Sequence, residues 1–268
     1  MDKTSVIGLL FGIIAVGVGM VLKGVSPAAL INPAAILIII LGTIAVILIA
    51  FPTSEVKKIP KLLKVVFKEQ QHWDVGEMIQ YFSELAQLAR QEGLLALDSK
   101  MEEIEDPFLK RGLRFAIDGQ NADYIRAIMS EELDSIEERH AANASIFSQA
   151  GTYAPTLGVL GAVVGLIAAL GNMEDADKLG VAISAAFVAT LLGIFTGYVL
   201  WHPFANKLKR KSKIEIEAKE IMIEGILSIL EGEAPRVIEE KLASYLPESE
   251  RERAFVQKEA APDGETEE

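Results

Sequence analysis

The stretch QAGTYAPTLGVLGAVVGLIAAL, residues 149–170, is uncharged and apolar, yet it contains residues that pack poorly against lipid. It is long enough for a membrane helix, which needs roughly 20 apolar residues. It also carries a proline, a tyrosine, two threonines and three glycines at helical spacing, Gly158, Gly161 and Gly165. Small residues let a second helix approach the backbone closely. The stretch therefore predicts a membrane helix that packs against protein.

Three other uncharged stretches have spanning length, and together the four predict transmembrane helices at about 5–22, 33–52, 150–171 and 179–202. The first stretch could be a cleaved signal peptide, but it lacks a small-x-small cleavage site and a second span follows at once. We therefore expect an uncleaved hairpin. Between the second and third spans the chain is charged, with apolar residues at helical three- and four-residue steps.

The sequence predicts an all-α membrane protein with four transmembrane helices. A helical cytoplasmic insert lies between helices 2 and 3, and a cytoplasmic helical region follows helix 4. The predicted segments are a transmembrane hairpin (1–54), a cytoplasmic helical domain (55–148), a second hairpin (149–202), cytoplasmic helices (203–246) and an acidic, disordered tail (247–268).

Basic residues predict the orientation of the chain, because cytoplasmic loops carry an excess of lysine and arginine. They cluster after the second span (Lys57, Lys58, Lys61, Lys64, Lys68) and after the fourth (Lys207, Lys209, Arg210, Lys211, Lys213). The other two loops hold one lysine each, Lys23 and Lys178. We expect a multi-pass protein of the inner (plasma) membrane with both termini cytoplasmic.

Composition argues against several functions. The absence of cysteine excludes disulfides, thiolate chemistry and cysteine metal sites. The net charge of −12 argues against a nucleic-acid partner. No nucleophile–base set, phosphate loop or metal cluster stands in the sequence, so we expect neither an enzyme nor a bound cofactor.

Small and polar residues are concentrated in the second hairpin. The fourth span has a G-x-x-x-G pair, Gly193 and Gly197, and the polar residues of this hairpin are Thr152, Tyr153, Thr156, Thr190, Thr196 and Tyr198. Helix packing within one chain accounts for the glycines, and threonine hydroxyls can bond their own helix. The contrast with the first hairpin still favours a second hairpin that lines something polar. Pro155 and Pro203 mark either helix ends and kinks or functional hinges.

No Asp, Glu, Lys or Arg lies inside any of the four spans. Ion carriers and proton relays normally need an ionisable group within the membrane. The chain alone is therefore a poor ion carrier. If it conducts ions, another subunit must supply the titrating group.

Four stretches carry a resemblance to a known family: NPAAILIIILGT (32–43), ARQEGLLALD (89–98), GTYAPTLGVLGAVVGLI (151–167) and AISAAFVATLLGIFTGYVLWHPFANKLK (182–209). Together they resemble the MotA family of flagellar motor stator subunits, over nearly the whole chain and most weakly after Pro247. The resemblance implies a partner, MotB, whose single membrane helix carries an ion-binding aspartate. It also implies a ring of five such chains around a MotB pair, which couples proton flow to torque on the rotor.

The resemblance also implies roles for individual residues along the ion path. Pro155 and Pro203 match functional prolines of the family, Thr190 matches a threonine facing the partner's aspartate, and Tyr198 matches a tyrosine near the end of the fourth span. Sodium-type relatives tend to carry a threonine where this chain has Ala162. A methyl group cannot coordinate sodium, so we expect protons to be translocated.

In the charged insert, Arg90 and Asp98 match residues that contact the rotor switch protein FliG. Asp98 stands where some members have glutamate, which keeps the charge on a shorter side chain. The alternative is that both are solvated surface charges of little individual value. Two rival functions remain: a TolQ/ExbB-type energy-transducing subunit, whose class has one span before its insert where this chain has two, and a membrane scaffold.

Overall fold

Every regular element in the computed structural model is helical within the residues that it describes, 2–69, 74–171, 173–246, Glu248 and Arg251. The predicted disordered tail, 247–268, lies outside these residues except for Glu248 and Arg251. The helices are α1 (Lys3–Leu22), α2 (Pro33–Ala50), α3 (Thr53–Val56), α4 (Ile59–Phe67), α5 (Val75–Glu92), α6 (Pro107–Ile117), α7 (Ala122–Leu170), α8 (Ala176–Leu230) and α9 (Pro235–Ala243). Short 3₁₀ helices cover Pro27–Leu30 and Leu94–Lys100.

Four of these helices, α1, α2, α7 and α8, are long and apolar enough to cross a membrane. The predicted all-α class with four membrane helices is confirmed. The second of them ends earlier than expected, at Ala50, because Phe51 is extended (φ −123°, ψ 143°). Phe51 precedes Pro52, and a residue before proline is disfavoured in the helical region.

Helix α7 runs for 49 residues without a break, so the predicted segment boundary between residues 148 and 149 lies inside a continuous helix. Pro155 also lies inside α7. Helix α8 consists of Ala176–Phe195, a π-helical segment Thr196–Trp201, and His202–Leu230. Where the membrane surface crosses these helices stays a prediction.

The chain divides into two compact units. We call Met1–Gln70 with Glu138–Ser212 the span-bearing unit, and Gln71–Glu137 with Lys213–Glu268 the charged unit. The core of the span-bearing unit includes Phe147, Ile47, Leu62, Val66 and Leu208. Phe147 also contacts the rings of Trp201 and Phe204.

The charged unit has a larger apolar core. Its fully buried side chains include Phe82, Leu85, Leu97, Leu113, Ile125, Met129, Met222, Ile226 and Leu227. Two aspartates begin its helices: Asp74 accepts hydrogen bonds from backbone amides of α5, and Asp106 accepts them from α6. Such caps satisfy backbone donors that have no partner inside the helix. This core holds α5, α6 and the intervening 3₁₀ helix together.

Candidate functional site: the contact between two apolar helices

Helices α7 and α8 come into close contact at a pair of glycines. A Cβ atom added at Gly158 would lie 2.8 Å from the backbone oxygen of Ala189 and 2.9 Å from the Cα of Gly193. A Cβ added at Gly193 would lie equally close to Gly158 and to the oxygen of Ala154. Contacts this short leave no room for a side chain. The two backbones therefore touch directly, as in close small-residue packing of membrane helices.

This close contact extends along both helices, and we call it the glycine seam. A Cβ at Gly161 would lie 3.3 Å from the Cβ of Ala189, and one at Gly165 would lie 3.2 Å from the Cβ of Ala186. At the other end, a Cβ at Gly197 would lie 2.7 Å from the Pro155 ring. The structure thus brings together the five glycines singled out in the sequence, with Pro155 beside the last of them.

The two prolines have different surroundings. Pro155 continues α7 and packs its ring against Gly197, so it does not end the helix. Pro203 is exposed in the first turn of His202–Leu230, directly after the π-helical segment. Proline has no N–H to donate and crowds the carbonyl four residues earlier, which fits a helix that widens just before it. Such π segments are frequent at functional sites.

The threonine hydroxyls donate to carbonyls of their own helices. Thr190 donates to Ala186 (3.3 Å), Thr196 to Leu192 (2.9 Å), Thr152 to Ser148 (3.1 Å) and Thr156 to Tyr153 (2.7 Å). The structure therefore shows the alternative left open by the sequence, in which each threonine hydroxyl bonds to its own helix. Each hydroxyl oxygen keeps the capacity to accept a further hydrogen bond.

Exposure separates these polar residues from the glycine seam. Thr152 and Thr156 are exposed on α7, Ala162 is half-buried, and Thr190 is half-buried on α8. Tyr198 is 64% exposed, and its ring lies 5.3 Å from that of His202. These side chains leave a partly polar surface beside the seam. Within the described part of the chain, no group of three or more His, Asp or Glu could hold a metal ion.

Arg90 and Asp98 lie in the charged unit, on either side of a sharp turn. Arg90 is exposed in the last turn of α5, and Gly93 (φ 88°) redirects the chain into the 3₁₀ helix that carries Asp98. Asp98 Oδ1 accepts a hydrogen bond from Arg114 Nη1 on α6 at 2.7 Å. Asp98 is therefore not an isolated surface charge. Sequence reasoning missed Arg114 because the pairing depends on how α6 packs.

Sequence reasoning also missed an ion pair between Asp2 and Lys207 at the start of α1, which we call the Asp2–Lys207 lock. Lys207 Nζ lies 2.6 Å from Asp2 Oδ2, and the Asp2 backbone N–H donates to the Phe67 carbonyl at 2.9 Å. The hydrogen bond from Lys207, with one from Thr4, holds the pKa of the Asp2 carboxyl well below its usual range. A cavity of about 390 Å³ beside the lock is lined by residues that include Ser5, Leu9, Tyr198, Val199, Pro203 and Lys207.

Comparison with known proteins explains this architecture. A family model described as the MotA/TolQ/ExbB proton channel family matches residues 100–221. Motility protein A of Bacillus subtilis (strain 168) is 63% identical over 268 residues, which cover 100% of this chain and 99% of that protein. The chain belongs to the MotA/TolQ/ExbB proton channel family.

Solved structures agree with this membership in the MotA/TolQ/ExbB family. A chain of the flagellar MotAB stator complex from Bacillus subtilis matches with a TM-score of 0.90 and 65% identity, over 94% of this chain and 99% of that one. A chain of C. jejuni MotAB matches with a TM-score of 0.88 and 33% identity, over 92% and 97%. The expected resemblance to MotA is confirmed, and the chain is a membrane protein of an ion-channel family rather than an enzyme.

Proposed function

We propose that this chain is the ion-conducting stator subunit of a bacterial flagellar motor. With a MotB-type partner, it couples proton flow across the inner membrane to torque on the rotor. The observation that carries the proposal is the 63% identity to Motility protein A over the whole chain. Two features of the chain agree with this function: its spans contain no carboxylate, and its glycine seam packs two of the spans closely together.

The partner supplies what the spans lack. No Asp, Glu, Lys or Arg lies in 5–22, 33–50, 149–170 or 179–201, and an intramembrane proton relay needs an ionisable group. The single membrane helix of a MotB-type subunit carries that group, an aspartate. A ring of five copies of this chain surrounds a pair of partner helices. Apolar side chains that are exposed on the single chain, such as Phe187 at 72%, face lipid or neighbouring subunits.

Proton binding to the partner's aspartate is the switching event. An ionised carboxylate in a low-dielectric site is unfavourable unless it is paired, so protonation changes which neighbouring surface it prefers. Thr190, Tyr198 and the prolines Pro155 and Pro203 belong to that surface. Each proton brings roughly 2.3 kcal/mol per 100 mV of membrane potential. Ala162 offers a methyl group where a hydroxyl would favour sodium, so the translocated ion is H⁺.

The charged unit transmits the motion. The lysine and arginine bias of the loops puts both termini and this unit in the cytoplasm. There Arg90 and Asp98 contact the rotor switch protein FliG. Charges at such a surface steer and orient the partner more than they add affinity.

Replacing Arg90 with glutamate tests the rotor contact. In R90E the charge that faces the rotor is reversed, so torque on tethered cells should fall severalfold while the complex still assembles with its partner in the membrane. R236E is the matched control, since Arg236 is 89% exposed in the same unit and pairs within its own helix with Glu240. Full torque in R90E contradicts the assignment.

A TolQ/ExbB-type energy-transducing subunit is the alternative, because the matching family model includes that class. It uses the same proton-coupled switching to drive an envelope protein instead of a rotor. This chain has two long apolar helices, α1 and α2, before its charged unit, whereas that class has one. The motor function is therefore favoured.

A further inference from the structure

Leu95 is an exposed apolar side chain in the charged unit. It lies in the 3₁₀ helix Leu94–Lys100 and is 74% exposed. The other exposed large hydrophobic residues described in this unit are Tyr124, Ile214, Val237 and Tyr245, and none of them exceeds 48%. A single exposed leucine is ordinary on a protein surface, so its surroundings decide whether it matters.

The backbone holds Leu95 in this outward position. Leu97 is 1% exposed in the core, Leu94 is partly buried against the same core, and Gly93 turns the chain immediately before them. Leu95 therefore stands between two anchored leucines on a short, fixed turn. A side chain presented in this way needs little ordering when a partner covers it, which favours binding.

Charged residues flank Leu95 in the sequence. Arg90 is exposed in the last turn of α5, and the Asp98–Arg114 pair follows Leu95. The side chains of Asp98 and Arg114 are 60% and 54% exposed. An ion pair this exposed contributes little to stability, so it can exchange for pairs with another molecule. An apolar centre inside a polar rim is the usual arrangement of a protein–protein interface.

We propose that Leu95 is the apolar anchor of the surface that docks onto the rotor, with Arg90, Asp98 and Arg114 as its polar rim. The inference rests on the proposed function and deepens it. The occupant is a protein face with an apolar pocket, bordered by an acid opposite Arg90 and by an acid–base pair that exchanges with Asp98 and Arg114. The exposed acids Glu92 and Asp98 balance the two arginines, so the local charge gives no net attraction to an anionic lipid surface.

The first test compares L95S and L95M with the control V237S, which changes a 48% exposed residue of α9 in the same unit. Full-length chains are expressed with the partner subunit in motile cells, and three readouts are taken: labelled stator complexes recruited to the motor, torque, and proton uptake by purified complexes. Losing a hot-spot side chain should reduce recruitment by L95S about tenfold. L95M and V237S should recruit normally, and proton uptake should be unchanged in all three.

Two results would overturn the proposal: normal recruitment of L95S, or an equal loss of proton uptake, which would mean that Leu95 acts on folding or conduction. R90E in the same assay distinguishes a failure of the Leu95 proposal from a failure of the proposed rotor contact. If R90E loses torque while L95S is normal, the rotor contact stands without Leu95. If R90E and L95S both rotate the motor normally, the proposed rotor contact fails as well.

The second test identifies what covers Leu95. The chain has no cysteine, so L95C introduces one thiol to which a photo-crosslinker can be attached in membranes containing intact motors. The proposal predicts a covalent product with a rotor protein from L95C and none from V237C. A product with lipid or with a second copy of this chain contradicts it.

Discussion

Gly158 and Gly193 show how a single missing side chain sets the distance between two membrane helices. An added Cβ on either residue would come within 3.0 Å of the other's Cα. The obstacle on each side is backbone, which cannot move aside as a flexible side chain can. The glycines are therefore required by contact geometry, and their helical conformation by itself would accept alanine.

Replacing Gly158 with alanine tests this contact. The new methyl group would collide with the Ala189 carbonyl and push α7 and α8 apart, at a cost of about 1–3 kcal/mol. The melting temperature of the purified complex in detergent should fall. G17A is the matched control, since nothing lies within 4 Å of a Cβ at Gly17. Equal melting temperatures for G158A and G17A would refute direct backbone contact.

Thr190 is proposed to line the ion path. Its hydroxyl donates to Ala186 and retains acceptor capacity. In T190L a larger apolar side chain replaces the hydroxyl, so proton uptake by vesicles containing the complex should drop at least severalfold. T190S keeps the hydroxyl and should retain most of the uptake. Uptake at the wild-type rate in T190L would exclude Thr190 from the path.

The spacing of the glycines predicted a packing face, but it did not predict every close contact that a glycine makes. Spacing alone put Gly158, Gly161 and Gly165 on one face, and the structure packs that face on α8. It gave no sign of what Gly151 and Gly12 contact, because their neighbours, the His202 ring and Val199, lie on other helices. Such pairs depend on how helices cross.

At the scale of elements, the backbone hydrogen bonds of α7 continue through the point where the sequence changes from charged to uncharged. The loss of charge after His140 suggested a boundary near residue 148, yet α7 passes through it without a break. Polarity indicates the environment of a helix, while its ends depend on caps and breakers. Asp74 and Asp106 are such caps. Pro155 does not break α7, which continues on both sides of it.

The start of α1 depends on the Asp2–Lys207 lock, and its charge can be tested separately from its cap. Asparagine caps a helix as well as aspartate does, whereas alanine does not. D2N should therefore lower the melting temperature of the complex at pH 7 through the lost ion pair, and D2A should lower it further. K207M should match D2N.

The pH dependence of this lock follows from the lowered pKa of Asp2. A carboxyl whose pKa is depressed in the folded state stabilises the protein above its ordinary value of 3.8 and loses that effect as the pH falls. The gap between wild type and D2N should be complete above about pH 5 and should shrink steadily below it. A gap that stays constant as the pH is lowered toward 3 would show that Asp2 does not act through its charge.

At the scale of the whole molecule, the segregation of charge predicted much of the fold. Uncharged stretches of spanning length predicted four membrane helices, and the charged interval between them predicted a helical insert. The ion pair between Asp98 and Arg114 could not be foreseen, because it joins residues brought together only when the charged unit folds. The same limit applies to Leu95, whose exposure depends on the burial of its neighbours.

We propose that the channel wall formed by this chain contains no Asp, Glu, Lys or Arg and that the partner supplies the carboxyl group that binds the proton. Proton uptake into liposomes tests it directly, with the chain reconstituted alone, with a MotB-type partner, and with a partner whose membrane aspartate is replaced by asparagine. In sodium-free potassium buffer, we expect uptake only with the intact partner. Uptake at the same rate by the chain alone would contradict the claim, and a requirement for sodium would contradict the choice of ion.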